Sequence, residues 1–514
     1  MNCARAVLIA AVIASWTVQA TFPAPLQAPF QAPPATFDNS LFIAPLYVRY
    51  LQHSDDQFAE QATILRERIG QAPYVKVGFS VFLNPQFADA DLNRPLTEAD
   101  MRDALADIDT IVDRARKNGL PVHISVMSGF FHGANKLRAR AALEDVRNVE
   151  WFADGSIAAP DDLRGAVAPP DSIWATPSRR ALLLRRRAEE GIRIIGRRLA
   201  MRMRENPETL LSVSGDGEVE LQQAAWAPDL LADYSPFMIE EFRDWLRDTR
   251  YRGDLSPGSD DNHDRRTLNK DFKQSFKTWK LKYFDASGPI PFEEYIRFDQ
   301  KLPRSGRYLI NGGFDAPRME DPRSAFWQAW MDFRKDAIAS WEKDFAAWIT
   351  APEGAGGLSI PPDRFFSHQI PAEFLFGARD IARLKSSASP TETAFIGSLG
   401  STGVTTFNIY NGKTYSKTAT PALYEFVTRA GSSWAILEYN PAVLSTPDMP
   451  PTSDVNDLLN EMLELYRYRP HIIAPALWSD YPEHQTMIVQ DSPFERALHK
   501  FVSAVGQSPW APLR

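Results

Sequence analysis

Cysteine is nearly absent from this sequence, which has one, Cys3, in 514 residues. Cys3 lies in residues 1–20, where Arg5 precedes an apolar run that ends in small residues, a pattern typical of a cleavable secretory signal peptide. We expect cleavage after Ala20 and a secreted or periplasmic mature chain. That chain would contain no cysteine, which excludes disulfide bonds, thiolate metal ligands and thiol catalysis.

An excess of basic residues and a long apolar run are also absent. The net charge is -8 and the isoelectric point about 5.6, so no nucleic-acid partner is expected, because phosphate binding favours a basic surface. The apolar run in residues 1–20 is too short for a comfortable membrane span, and no membrane anchor is predicted. Residues 21–38 are rich in Pro and Ala, which predicts an extended linker.

The short motifs of the common cofactor and metal enzymes are missing as well. The sequence has no phosphate-binding glycine loop, no dinucleotide fingerprint and no His-Glu-x-x-His pattern. The stretch SVSGDG, residues 212–217, does not match the Gly-x-Ser-x-Gly elbow of serine hydrolases. We therefore predict neither a cofactor nor a bound metal.

A regular alternation of strands and helices is present from residue 39 onward. Short β-rich runs are separated by amphipathic segments of helical length, which predicts a parallel sheet. Segment 96–119 ends at a glycine, as a helix should, segment 453–469 has Ser453 or Asp454 as its predicted cap, and the stretch PFMIEEFRDWLRD is predicted as a helix within the long segment after the fourth run. The eight runs are 41–50, 74–83, 121–129, 209–218, 364–371, 403–411, 432–441 and 471–480. Eight such units predict one (β/α)8 TIM barrel, an α/β fold, over residues 39–514.

Two long insertions follow the third and fourth predicted strands, at about residues 130–180 and 222–360. Both begin where a strand ends at its carboxyl side, and barrels build their active sites on that face. We expect the insertions to wall a cleft.

Aliphatic residues alternate with small or polar ones in the third and fourth strands. The aliphatic members are Val122, Ile124, Val126, Leu211 and Val213, and the others are His123, Ser125, Ser212 and Ser214. Successive side chains of a strand point to opposite faces. The aliphatic set is therefore predicted to face the helices, and the other set the barrel axis.

Two glutamates lie at the carboxyl ends of predicted strands. Glu218 ends the fourth strand, and Glu438 ends the seventh, where the same alternation predicts Trp434 and Ile436 on the inner face. Two carboxyl groups about 5–5.5 Å apart on either side of a sugar are what glycosidic cleavage with retention requires. Glu220 remains an alternative to Glu218, because strand ends are predicted only to within about two to four residues.

These residues resemble the clan A glycoside hydrolases, which carry the acid/base at the end of strand four and the nucleophile at the end of strand seven. The stretches EEFRDWLRDTRY, LNKDFKQSFKTW and FWQAWMDFRKD resemble segments of family 42 β-galactosidases. The resemblance implies that Glu218 is the acid/base and Glu438 the nucleophile. It also implies that Trp478, in PALWSD at the end of strand eight, forms the floor of the sugar subsite.

The pattern departs from the clan at one position. Clan A enzymes usually have an asparagine directly before the acid/base, to hold the sugar 2-hydroxyl, and here that position is Gly217. Asp216 or a loop residue is expected to take its place. Gly215 and Gly217 suit a strand end that a ligand approaches closely. His368 on strand five and Tyr410 at the end of strand six are further candidates for substrate binding, with core or rim packing as the alternative for each.

The sequence therefore predicts an exported retaining glycoside hydrolase that cleaves a β-glycosidic bond in a carbohydrate substrate; no feature sets an oligomeric state. A non-catalytic carbohydrate-binding barrel is the first alternative, because of Gly217. The second is a metal-dependent barrel hydrolase that uses His123, His132 and His368 with an acid.

Overall fold

A computed structural model describes the chain over thirteen stretches. These are residues 39–85, 94–127, 146–148, 150–151, 178–215, 233–248, 325–352, 357–368, 401–405, 433–439, 454–475, 478 and 491–510. All of them belong to one compact unit, Pro34–Arg514. In these stretches no helix combines the length and the apolar character that a membrane crossing requires.

The described residues form nine strands, seven α-helices and two short 3-10 helices. The strands are β1 (Leu41–Ile43), β2 (Val75–Val77), β3 (Phe79–Leu83), β4 (Val122–Val126), β5 (Leu210–Gly215), β6 (Phe365–His368), β7 (Ser401–Thr405), β8 (Ser433–Tyr439) and β9 (Ile472–Pro475). The α-helices are α1 (Asp55–Ile69), α2 (Arg102–Lys117), α3 (Leu182–Glu205), α4 (Pro236–Asp248), α5 (Ala325–Thr350), α6 (Val455–Tyr466) and α7 (Pro493–Val505). The 3-10 helices are Val146–Asn148 and Pro362–Arg364.

Seven of the eight predicted runs contain an observed strand, and the run 74–83 contains two, β2 and β3; the run 403–411 overlaps β7, which begins two residues earlier. Gly78 separates these two strands, and a Cβ atom there would lie 1.9 Å from the carbonyl oxygen of Pro121. All pairings between the strands are parallel, in the order β2-β1-β9-β8-β7-β6-β5-β4-β3. The predicted parallel α/β sheet is confirmed.

Local sequence determines where the helices begin and end. Asp454 was one of two predicted N-caps of α6, and its side chain accepts a hydrogen bond from the backbone N–H of Asn456. The segment predicted to end at a glycine contains α2, and Gly119 just beyond it has φ +61°, a left-handed conformation that glycine adopts without strain. Helix α4 coincides with the stretch PFMIEEFRDWLRD that was predicted as a helix.

The sheet is buried on both faces. A large apolar cluster joins the strands to the helices, and a second cluster contains strand residues alone. The members of this inner cluster are Phe42, Ala44, Leu211, Phe366, Ala435, Leu437 and Ile472. Near-continuous burial of this kind is typical of parallel strands covered on both faces.

The alternation predicted for β4 is confirmed, because its three aliphatic residues belong to the helix-facing cluster. In β5 the prediction is correct for Val213 and wrong for Leu211, which belongs to the inner cluster. The pairing with β4 shifts at this point: Val122 pairs with Leu210, but His123 pairs with Ser212. The extra residue is a β-bulge, which changes the face that the following side chains occupy.

The predicted insertions, 130–180 and 222–360, lie largely outside the described residues. Within the second, α5 packs against α3 and against β5 and β6, and α4 packs on α5. Helix α5 therefore has the place of the helix that connects the fourth and fifth strands of the predicted barrel.

Candidate active site

Glu438 lies one residue before the carboxyl end of β8 and is half-buried. Its neighbours Trp434 and Ile436 belong to the helix-facing cluster, whereas Ala435 and Leu437 belong to the inner cluster. The prediction that Trp434 and Ile436 face inward is therefore wrong.

A second bulge lies in β8 beside Glu438. Val404 pairs with Ile436, but the next residue, Thr405, pairs with Glu438, so β8 contains one extra residue. Regular alternation from Ile436 would place Glu438 among the helices. Instead Tyr439 takes that side: it belongs to the helix-facing cluster, and its hydroxyl donates to the Glu461 carboxylate of α6 at 3.2 Å. Tyr439 therefore takes the helix-facing place that regular alternation would have given to Glu438.

A fully buried histidine of β4 lies within hydrogen-bond distance of two serine hydroxyls of β5. His123 Nδ1 lies 2.8 Å from Ser212 Oγ, and its Nε2 lies 3.1 Å from Ser214 Oγ. One ring nitrogen of a neutral imidazole donates and the other accepts. Both nitrogens of His123 therefore bind β5 just before that strand ends at Gly215. Asp216, Gly217, Glu218 and Glu220 follow, outside the described residues.

The sequence suggested that Gly215 makes room for a ligand, and this interpretation is wrong. A Cβ atom at Gly215 would lie 2.7 Å from the ring of Phe345 on α5 and 3.0 Å from Phe365. The space beside this glycine is filled by aromatic rings of the protein itself, so the glycine serves helix–sheet packing.

Trp478 is buried, with 3% of its surface exposed. Its indole N–H donates to the side-chain oxygen of Gln61 at 2.9 Å, and its ring meets that of Phe79 edge to face at 5.9 Å. A backbone bridge joins it to Tyr47, which follows β1. The indole is therefore fixed in a single orientation at the carboxyl side of β9, and its predicted contact with a sugar stays a prediction.

The remaining predicted residues divide between the strand ends and the undescribed parts of the chain. His368 is the last residue of β6, and its backbone pairs with Gly403 of β7. Tyr410 and His132 lie outside the described residues. Within the described stretches, no three His, Cys, Asp or Glu side chains are grouped so that they could hold a metal ion.

A buried polar cluster near the carboxyl edge escaped the sequence analysis. Asp233 is fully buried, and burial raises the pKa of its carboxyl group, against the effect of several hydrogen bonds to it. Its donors are Ser178 Oγ at 2.6 Å, Ser235 N at 2.6 Å, Ser235 Oγ at 2.9 Å and Trp151 N at 3.2 Å. The only sequence signal was Ser235-Pro236, a helix start at α4.

Two of the three stretches that resemble family 42 meet between α4 and α5, and the third, LNKDFKQSFKTW, lies outside the described residues. Phe242 and Trp245 of α4 contact Phe333 of α5 with ring centroids 5.3 and 5.9 Å apart, and Trp330 lies 4.9 Å from Phe242. The Trp245 indole also donates to the Asp336 carboxylate at 2.7 Å. The spacing of aromatic residues that carries the resemblance therefore serves to dock one helix on the other.

Comparison with known proteins finds likeness in structure alone. No protein-family model matches the sequence, and no curated protein matches it. A solved structure of Gan42B, a GH42 β-galactosidase, is 13% identical with a TM-score of 0.48, over 91% of this chain and 56% of that one. A cold-adapted β-galactosidase from Rahnella sp. R3 is 11% identical with a TM-score of 0.51, again over 91% and 56%.

The second comparison shows a fold shared with a β-galactosidase, in keeping with an α/β barrel. This chain spans little more than half of the length of either β-galactosidase.

Proposed function

We propose that the nine-stranded sheet closes into a (β/α)8 barrel, in which β2 and β3 are two halves of one strand. Two consecutive amides support this closure. Gly78 N donates to the carbonyl oxygen of Ile43, the last residue of β1, at 3.0 Å, and Phe79 N donates to the carbonyl oxygen of Pro121, the residue before β4, at 3.2 Å. One short segment thereby joins both ends of the strand order. A closed sheet has no exposed edge and gathers all strand ends around one mouth.

On this barrel we propose a retaining glycoside hydrolase that cleaves a β-glycosidic bond, as in β-galactosidases. The observation that carries the proposal is the bulge in β8, which gives the helix-facing place to Tyr439, and from which we infer that Glu438, at the carboxyl end of the strand, faces the barrel mouth. β8 lies three strands from β5 in the sheet order. The chain that leaves β5 reaches Glu218 three residues after the strand ends.

The proposed reaction has two steps. Glu438 attacks the anomeric carbon while Glu218, protonated, gives its proton to the departing glycosidic oxygen, which leaves a glycosyl ester on Glu438. Glu218, now ionised, removes a proton from water, and the resulting attack on the anomeric carbon releases the sugar with its original configuration. A proton on Glu218 near neutral pH requires a raised pKa, which Asp216 and Glu220 support by like-charge repulsion.

We assign substrate binding to Asp216, His368, Tyr410 and Trp478, at or after the ends of four strands. We further propose that residues 1–20 direct export and that the barrel, residues 39–514 with the insertion 222–360, works outside the cytoplasm. No metal or cofactor takes part in this mechanism.

Hydrolysis of a panel of aryl β-glycosides tests the proposal. The wild type should release the aryl alcohol from at least one sugar, and both Glu218→Ala and Glu438→Ala should reduce kcat at least 1000-fold, because each removes a group that acts on the reacting bonds. Glu220→Ala tests the alternative acid/base. Glu464→Ala, an exposed glutamate of α6 paired with Arg467, is the control and should keep full activity.

Two results would overturn the assignment. Equal activity in all variants would remove both glutamates from the mechanism. Sugar binding without hydrolysis across the panel would favour the non-catalytic barrel that Gly217 brings into consideration. The metal-dependent alternative receives no support from His123, because both of its ring nitrogens face serine hydroxyls.

A further inference from the structure

Asp233 connects three separate parts of the chain through one side chain. Oδ1 accepts from the backbone N–H groups of Trp151 and Ser235, and Oδ2 accepts from the hydroxyls of Ser178 and Ser235. Each carboxylate oxygen therefore accepts two hydrogen bonds. A group that satisfies its full hydrogen-bonding capacity in a buried site holds its donors in a defined geometry.

Backbone contacts reinforce the same junction. Tyr234 N donates to Trp151 O, and Ser178 N donates to Asn148 O, both at 2.8 Å. Arg180 forms an ion pair with Glu241 of α4. The chain after β4, the start of α3 and the start of α4 are thus held together.

The electrostatic environment accounts for a carboxylate in this position. Arg334 of α5 is buried, and its guanidinium interacts electrostatically with Asp233 and Glu150. A buried charge is tolerated when an opposite charge and hydrogen bonds compensate its desolvation. Replacement of Asp233 by an apolar residue would leave two amide donors without this acceptor and would remove an opposite charge that compensates the burial of Arg334.

The junction belongs to the connections that follow two neighbouring strands of the sheet. Trp151 follows β4, and Asp233 follows β5, so both belong to connections that leave the carboxyl ends of parallel strands. The residues that join at Asp233 border chain segments 152–177 and 216–232, and the latter carries Glu218 in the sequence.

We propose that Asp233 is a positioning residue of the cleft: its carboxylate fixes the connections after β4 and β5 against each other and against α5, and sugar affinity depends on it. This inference rests on the proposed glycosidase function. Asp233 itself does not touch substrate; it acts through the two connections.

The test combines hydrogen exchange of the full chain with kinetics on the best aryl glycoside. In Asp233→Ala, exchange of the Trp151, Tyr234 and Ser235 amides should accelerate at least tenfold, while amides within β4 and β5 keep their wild-type rates. KM should rise at least fivefold with kcat within twofold. Asp233→Asn keeps one acceptor oxygen for the two backbone amides, so it should restore most of the protection and most of the affinity.

The control is Asp363→Ala, a half-buried aspartate in the 3-10 helix at the amino side of β6. It should change neither the three amides nor KM. A role in general stability alone predicts faster exchange throughout the sheet with KM unchanged in the folded protein, and that outcome would overturn the proposal. Unchanged exchange at all three amides would do the same.

A wild type that hydrolyses no glycoside would refute the proposed function and the dependence of affinity on Asp233. The junction itself is then judged from exchange alone, where acceleration confined to the three amides supports it. If Asp233→Ala does not fold, Ser235→Ala removes one donor to Oδ2 and should accelerate exchange at Trp151 and Tyr234 by at least threefold. Wild-type rates in that variant would count against the junction.

Discussion

Replacement of His123 by leucine removes a side-chain bridge between β4 and the carboxyl end of β5. The ring is fully buried, and its two nitrogens serve Ser212 Oγ at 2.8 Å and Ser214 Oγ at 3.1 Å. Leucine has a similar volume and no polar atom, so both hydroxyls lose this partner in a site without water access. Each unsatisfied buried hydroxyl costs about 1–3 kcal/mol, and the free energy of unfolding should fall by about 2–6 kcal/mol.

The assay is equilibrium urea unfolding followed by tryptophan fluorescence. The matched variant is the triple replacement His123→Leu, Ser212→Ala and Ser214→Ala. It removes the two serine hydroxyls together with the imidazole, so neither hydroxyl remains buried without this partner. Because removal of both partners of a buried hydrogen bond is nearly neutral, the triple variant should recover at least half of the loss. A change below about 0.5 kcal/mol in His123→Leu, the range of surface substitutions, would refute the reasoning.

Two further predictions concern burial. His471 packs 4.3 Å from the Trp510 ring, and burial lowers its pKa from 6.5 to about 4. Between these pH values the unfolded chain binds a proton that the folded chain does not, so His471 should lower the free energy of unfolding by about 3 kcal/mol as pH falls from 6.5 to 4. In denaturant titrations, His471→Leu should remove that part of the pH dependence. The same pH dependence of the free energy of unfolding in wild type and variant would contradict the prediction. Gly215→Ala should cost about 1–3 kcal/mol by overpacking, because its Cβ would lie 2.7 Å from the Phe345 ring; Phe345→Leu in the same chain should reduce the loss, and a neutral Gly215→Ala would return this glycine to a ligand-binding role.

Local patterns predicted the strands and helices well, because each depends on residues close in sequence. Alternating or continuous apolar residues located all eight strand runs, and capping residues located the ends of α2 and α6. The directions of side chains were predicted correctly in β4, where pairing is regular.

The same approach failed where a strand contains one extra residue. In β5 and β8 the bulges are visible only in the pairing with a neighbour, and one extra residue moves the following side chains to the other face. Leu211, Trp434 and Ile436 were misplaced for this reason. Glu438 was assigned to the strand end by an alternation that the strand does not follow.

The Asp233 junction was missed for a different reason. Its donors come from positions 151, 178 and 235, and its charged neighbours from 150 and 334. No short spacing relates these residues, since the fold alone brings them together. Gly215 was likewise misinterpreted because its neighbour Phe345 is 130 positions away in the chain.

Chemical rescue of Glu438→Ala by azide tests the central claim most directly, that Glu438 is the nucleophile of a retaining glycosidase. Azide is small enough to occupy the space of the lost carboxylate and attack the anomeric carbon from that side. With an aryl β-glycoside that has a good leaving group, the account predicts restored turnover and an α-glycosyl azide, identified by proton NMR. A β-glycosyl azide from this variant, or no rescue in a folded protein whose wild type is active, would contradict the assignment.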